Sequence, residues 1–184
     1  MSAVTSLGRR PTLMIAVAVG LVMVIFVAVL ATRSTQPGTV AASPLVGQVA
    51  PPISGTDITT GHRVTLRDER GHYVVVTFFA SWCGPCITEE PQLEAFLFAE
   101  RTIHASVLGV IYDDSPNNAR GFLQQYGASW PAVSDPNGIT AAAYGVSDPP
   151  ESFVVAPGGR VVAKITGGVT EHQLLQIIGL AGST

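Results

Sequence analysis

Cys83 and Cys86 are the only cysteines in a chain of 184 residues. Two thiols at this spacing close a small disulfide that can open and re-form. They lie in Trp82-Cys83-Gly84-Pro85-Cys86, between the apolar run 74–80 and the helix-like run 87–101. A thiol at a helix N-terminus faces unpaired backbone N–H groups and the positive end of the helix dipole, and both favour thiolate. Cys83 is therefore expected to be exposed, with a lowered pKa, and to act as the nucleophile. Cys86, inside the first turn, is expected to be more buried and to act as the resolving thiol, which must lose its proton before it attacks. Glu89 and Glu90, three and four residues on, are within helical reach as proton acceptors; the bland alternative for each is a solvated helix glutamate.

Other uses of the pair fit less well. A structural zinc site needs four ligands, and His62, His72, His104 and His172 are scattered. Haem attachment needs CxxCH, but Ile87 follows Cys86. No metal and no cofactor is expected.

Residues 12–31 form a run of 20 residues without a charge. At 1.5 Å per residue this matches a hydrocarbon core of about 30 Å. Arg9 and Arg10 precede it and Arg33 follows, a bias that places the N-terminus in the cytoplasm. The expected organisation is a cytoplasmic tail (1–11), a transmembrane signal-anchor helix (12–32), a flexible linker (33–46) rich in Pro, Gly, Ser and Thr, and an extracytoplasmic domain (47–184). The competing reading is a cleaved signal peptide ending at Val29-Leu30-Ala31. No cysteine follows the run, so a lipoprotein is excluded. The domain keeps seven of the ten basic residues against all thirteen acidic ones, which argues against a nucleic-acid partner.

The elements that must position the thiols follow from periodicity and turn chemistry. Residues 53–56 and 63–66 are short strands around Thr60-Gly61. Residues 73–79 are nearly all apolar, as a central strand buried on both faces requires. Pro91 should kink the helix that follows. Residues 103–112 are a strand. Ser115-Pro116 starts a helix that stops at Gly127. A short strand (131–134), a turn (135–138) and a short helix (139–144) come next. Strands 152–156 and 160–166 form a hairpin at Pro157-Gly158-Gly159. Thr170-Glu171-His172-Gln173 reads as a capping box for the last helix. The order is that of an α/β fold with parallel strands first and an antiparallel hairpin last.

The stretch 75–86 resembles the thioredoxin superfamily. Gly47-Gln48-Val49-Ala50-Pro51, the Trp-Cys-Gly-Pro-Cys motif, Glu89-Glu90-Pro91, Tyr144-Gly145-Val146 and Pro150-Glu151-Ser152-Phe153 together resemble its membrane-anchored TlpA/ResA/CcmG (DsbE) group. The resemblance covers about residues 45–181. It implies a thioredoxin-like fold, a central mixed sheet flanked by helices, with an N-terminal β extension and a central insertion at 112–144, preceded by one transmembrane helix. It assigns the redox-active disulfide to Cys83–Cys86 and a substrate-facing wall to Trp82, Pro149 and Pro150. Pro150 is then the cis-proline, with the preceding carbonyl and N–H offered to a substrate backbone. It favours Glu89 as proton acceptor, because Thr77 stands where thioredoxin has a buried aspartate. Tyr112, Asp113 and Asp114 end a strand, where turn and cap roles are the simpler reading.

The resemblance further implies a reductant of protein disulfides outside the cytoplasm, such as the CxxCH of apocytochrome c before haem attachment, fed by a membrane thiol electron donor. Gly84-Pro85 is the dipeptide of thioredoxin, whose potential is about −270 mV against about −120 mV for the oxidant DsbA. Two other functions stay open: an extracytoplasmic disulfide oxidant or isomerase, and a non-enzymatic redox-sensing or metal-carrying module.

Overall fold

The computed structural model describes residues 9–33, 37–99 and 105–182 and separates into two compact units, 1–36 and 37–184. In the first, helix α1 (Arg9–Arg33) runs for 25 residues, and its described side chains, 13–29, are all exposed. The helix outruns the expected segment 12–32 at both ends, because Arg9, Arg10 and Arg33 are good helix formers that continue it. Counting only described side chains, no helix is long and apolar enough to cross a membrane.

The second unit is built on strand β4 (Tyr73–Phe79), buried from Val74 to Phe79. Alternation sends Val75 and Phe79 to one face of the sheet and Val74, Val76 and Phe78 to the other. The first face packs under helices α2 (Gly84–Ala99), α3 (Pro116–Tyr126) and α5 (Glu171–Gly182), which contribute Leu93, Phe96, Phe122, Leu123, Leu174 and Ile178. The second is covered by Tyr144 from α4 (Ile139–Tyr144) and by Ile53 and Leu66. The remaining strands are β1 (Thr39–Ala41), β2 (Ser54–Thr56), β3 (Arg63–Thr65), β5 (Ala105–Ile111), β6 (Ala132–Ser134), β7 (Glu151–Val155) and β8 (Val161–Thr166). The main sheet runs β1-β8-β7-β4-β5-β6. β4, β5 and β6 are mutually parallel, whereas β7 and β8 are antiparallel to their neighbours. β2 and β3 form a separate hairpin.

Two sequence expectations need correction. The linker was expected to reach residue 46, but Thr39–Ala41 pair with Thr166, Ile165 and Lys164 of β8. Without them the C-terminal half of β8 would be an open edge, and its unpaired backbone groups recruit the segment although its composition is that of a tether. The capping box forms only in half. Thr170 Oγ1 accepts from Gln173 N at 3.3 Å. The Gln173 amide, instead of reaching back to residue 170, donates to Gly38 O at 3.0 Å and holds the segment leading into β1.

Candidate active site

β4 delivers the chain at the C-terminal end of the sheet. There Cys83 N donates to Ala80 O at 3.2 Å, and α2 begins at Gly84. Cys83 and Cys86 are joined as a disulfide, with Cα atoms 5.3 Å apart. Cys86 N, in the first turn of α2, donates to Cys83 Sγ at 3.1 Å. This is the contact through which an N-terminal amide holds negative charge on sulfur. The expected contrast in burial is absent: each cysteine is 3% exposed. In the disulfide form both sulfurs belong to the apolar cluster beneath α2, so exposure does not separate their roles, whereas the N–H contact does.

The loop is clamped from the end of β5. Asp114 Oδ2 accepts from Ser81 N at 2.8 Å, and its Oδ1 accepts from Ser115 N at 2.7 Å and from Asn118 Nδ2 at 3.2 Å. Burial pushes this carboxyl's pKa up, but the hydrogen bonds from Ser81, Ser115 and Asn118 outweigh it and the net shift is down. Asp113 takes a left-handed φ of 43°, which Asp tolerates better than most residues. Its carbonyl accepts from Trp82 Nε1 at 3.1 Å, leaving the Trp82 ring 55% exposed beside the disulfide. The turn-and-cap reading of 113–114 was therefore incomplete. The position of these residues at a strand's C-terminal end was the available signal.

The opposite wall is the start of β7. The register pairs Phe78 with Glu151, the first residue of β7, directly after Pro150. The Pro149–Pro150 bond is cis, and Pro150 O accepts from Gly167 N at 2.9 Å. Pro149 supplies a carbonyl but no N–H, so the pair of backbone groups expected before Pro150 is reduced to an acceptor. Lys164 holds the loop ahead of the prolines. Its Nζ lies 2.7 Å from Glu151 Oε2 and donates to Gly145 O at 2.9 Å. Glu151 Oε1 accepts from Ser147 Oγ at 3.1 Å, and Tyr112 OH donates to Ser147 O at 2.9 Å.

Behind the disulfide, Glu89 and Glu90 are 2% and 3% exposed, so neither is a solvated helix glutamate. Glu89 Oε1 accepts from Ser152 Oγ at 3.2 Å. Burial pushes its pKa up to about 8, against the opposing hydrogen bonds from Ser152 and Val169. Burial, then the charge of Glu94, pushes Glu90 up to about 7. Ser152 is 63 residues from Glu89; the Pro150-Glu151-Ser152-Phe153 match includes it but gives no sign of its pairing with Glu89. Thr77, also buried, has an Oγ1 without a hydrogen-bond partner among the described residues. Among those residues no group of His, Cys, Asp and Glu is arranged to hold a metal ion.

A CxxC disulfide capping the helix after the central parallel strand, opposite a cis-proline, defines the class of thioredoxin-like thiol–disulfide oxidoreductases. Residues 46–164 match the AhpC/TSA family. The chain is 33% identical over 143 residues to the thiol:disulfide interchange protein HelX of Rhodobacter capsulatus, covering 76% of this chain and 79% of HelX. It is 30% identical over 129 residues to the thiol-disulfide oxidoreductase ResA of Bacillus thuringiensis, covering 70% and 74% of the two chains. A crystal structure of a thiol:disulfide interchange protein DsbE from Chlorobium tepidum superposes with a TM-score of 0.67 at 30% identity, over 72% of this chain and 94% of that one. The chain belongs to the AhpC/TSA family, among the thiol–disulfide oxidoreductases of ResA, HelX and DsbE type, and is an enzyme of that class.

Proposed function

We propose that the protein is a membrane-anchored reductant of protein disulfides outside the cytoplasm, with the CxxCH disulfide of apocytochrome c as its substrate type. The observation that carries the redox chemistry is the Cys86 N–H on Cys83 Sγ, with Glu89 buried one turn further along α2. Cys83 thiolate attacks the substrate disulfide, forming a mixed disulfide and releasing one substrate sulfur as thiolate. Cys86 passes its proton to the Glu89 carboxylate and attacks Cys83 Sγ. The substrate's second sulfur then leaves with the electron pair. Two electrons pass from the protein dithiol to the substrate, and a thiol donor in the membrane must return them. Trp82, Pro149 and Pro150 form the wall along which the substrate lies.

The uncharged run 12–31, set in the 25-residue helix α1, supports the anchor. The Gly84-Pro85 dipeptide supports the reducing direction. The test is a Cys86→Ser variant, which should accumulate substrates on Cys83 as mixed disulfides. Recovery of apocytochromes identifies the substrate, and their absence from the trapped set refutes that assignment. A reduction potential well above about −200 mV refutes the reducing direction and makes the protein an oxidant or isomerase.

A further inference from the structure

Cys86, Glu90 and Glu94 are spaced four apart on α2, so their side chains stack along one face of the helix. The row grades from core to surface. Cys86 and Glu90 are each 3% exposed and Glu94 is half-buried. The Glu94 carboxylate is fixed at the rim, where Oε1 accepts from Ser129 N at 2.6 Å and Oε2 from Ser129 Oγ at 3.0 Å. Glu90 Oε1 is buried with no hydrogen-bond partner among the described residues. A carboxyl held this way costs stability that an apolar side chain at the same place would not.

Among described residues, the charge that acts on Glu90 is that of Glu94. β5, packed against α2, carries no ionisable side chain. The charged residue of α3, Arg120, is committed to Ile58 O at 2.7 Å and Asn117 Oδ1 at 2.9 Å. α5 brings Glu171 to α2 near Gln92, whose Oε1 accepts from Glu171 N at 3.2 Å, and its His172 is exposed.

Resolution of the mixed disulfide releases a proton inside this core. Glu89 can take it, and Glu89 is itself enclosed by Ser152 and the Val169 backbone. We propose that Glu90 relays the proton from the Cys86–Glu89 pair to Glu94 at the surface, and back when the disulfide is reduced. The inference rests on the proposed roles of Cys86 and Glu89. The Cys86 S–H bond breaks and an O–H bond forms on Glu89. The thiolate electron pair becomes the Cys86–Cys83 bond, while the bond from Cys83 to the substrate sulfur breaks and leaves its pair on the substrate. The proton then moves to Glu90, to Glu94 and to water, so Glu90 is regenerated.

The test is single-turnover reduction of a CxxC-disulfide peptide by the pre-reduced full chain in detergent, resolving formation and decay of the mixed disulfide. Glu90→Gln keeps the shape but cannot carry a proton. It should leave the first step unchanged, slow the decay roughly 10-fold or more at pH 7, and recover speed with rising imidazole concentration. Glu94→Gln, at the rim, should give a milder slowing with the same recovery, and it carries the test if Glu90→Gln does not fold. Wild-type decay rates and pH profile in the variants overturn the relay. So does a slowed decay that imidazole does not restore and whose pH profile keeps the wild-type shape, because that marks a packing role. If the wild-type chain forms no mixed disulfide at all, the functional reading fails instead.

Discussion

Raising the pH on the oxidised protein isolates Glu89, because the disulfide removes both thiols from the titration. An ordinary glutamate ionises near 4.5 and Glu89 near 8, chiefly because of its burial. The folded chain therefore keeps a proton that the unfolded chain releases. The stability this contributes is whole below pH 4.5 and is lost as the pH climbs to about 8. Each pH unit in that window removes ~1.4 kcal/mol, about 5 kcal/mol in all, which is comparable to the whole stability of many domains. Glu90, shifted in the same direction, adds to the loss up to about pH 7. Asp57, with a pKa near 2, has the opposite sign but acts only below the window. Urea unfolding of the oxidised full chain in detergent, at pH 5 to 9, should show the wild type losing several kcal/mol. Glu89→Gln, which keeps the Ser152 contact without an ionisable group, should lose only the Glu90 share. The difference between the two proteins should widen by ~1.4 kcal/mol per pH unit and level off beyond pH 8. Parallel curves across the range would show that Glu89 ionises like an ordinary glutamate, and the proton-acceptor argument would fall with it.

Two further substitutions probe the walls of the site. Lys164→Met strips Glu151 of its ion-pair partner at 2.7 Å and frees Gly145 O; it should cost about 3–5 kcal/mol in urea unfolding, with a raised KM because the loop before Pro149 is released. Gly109→Ala should cost about 1–3 kcal/mol, since its Cβ would overlap the Trp130 ring and touch Phe79; an unchanged Tm would mean that β5 and Trp130 part more easily than their packing implies.

What the sequence disclosed follows the range of the interactions involved. β4, the Ser115 cap, the Gly127 stop and α4 with its Gly145 end were legible because each rests on neighbours within a few residues. Cys83 and Cys86 were legible for the same reason. The features missed are those closed by distant partners. β1 is a strand only because β8 lies beside it. Gln173 abandons its own helix cap for Gly38, 135 residues away. Glu89 and Glu90 were legible as groups within helical reach of Cys86, but their burial was not, because it comes from the packing of α2 against the sheet and its neighbouring helices. Asp114 was visible as a neighbour of the cap but not as the acceptor for Ser81, 33 residues earlier.

The pairing of Thr39–Ala41 with β8 bears on how this protein can be cut. β8 alternates buried and half-buried residues along its length; on its outer side β1 covers Lys164 to Thr166, while Val161 at the other end is held by Val46 and Gly47. A proteolytic nick before residue 37 would leave that cover in place. A nick at 42–46 would remove it and bare a row of unpaired amides and carbonyls on an apolar strand, a template onto which a second copy can add its own strand. The short segment after α1 thus separates a release that yields a solitary, folded enzyme from one that yields a sticky, self-associating one.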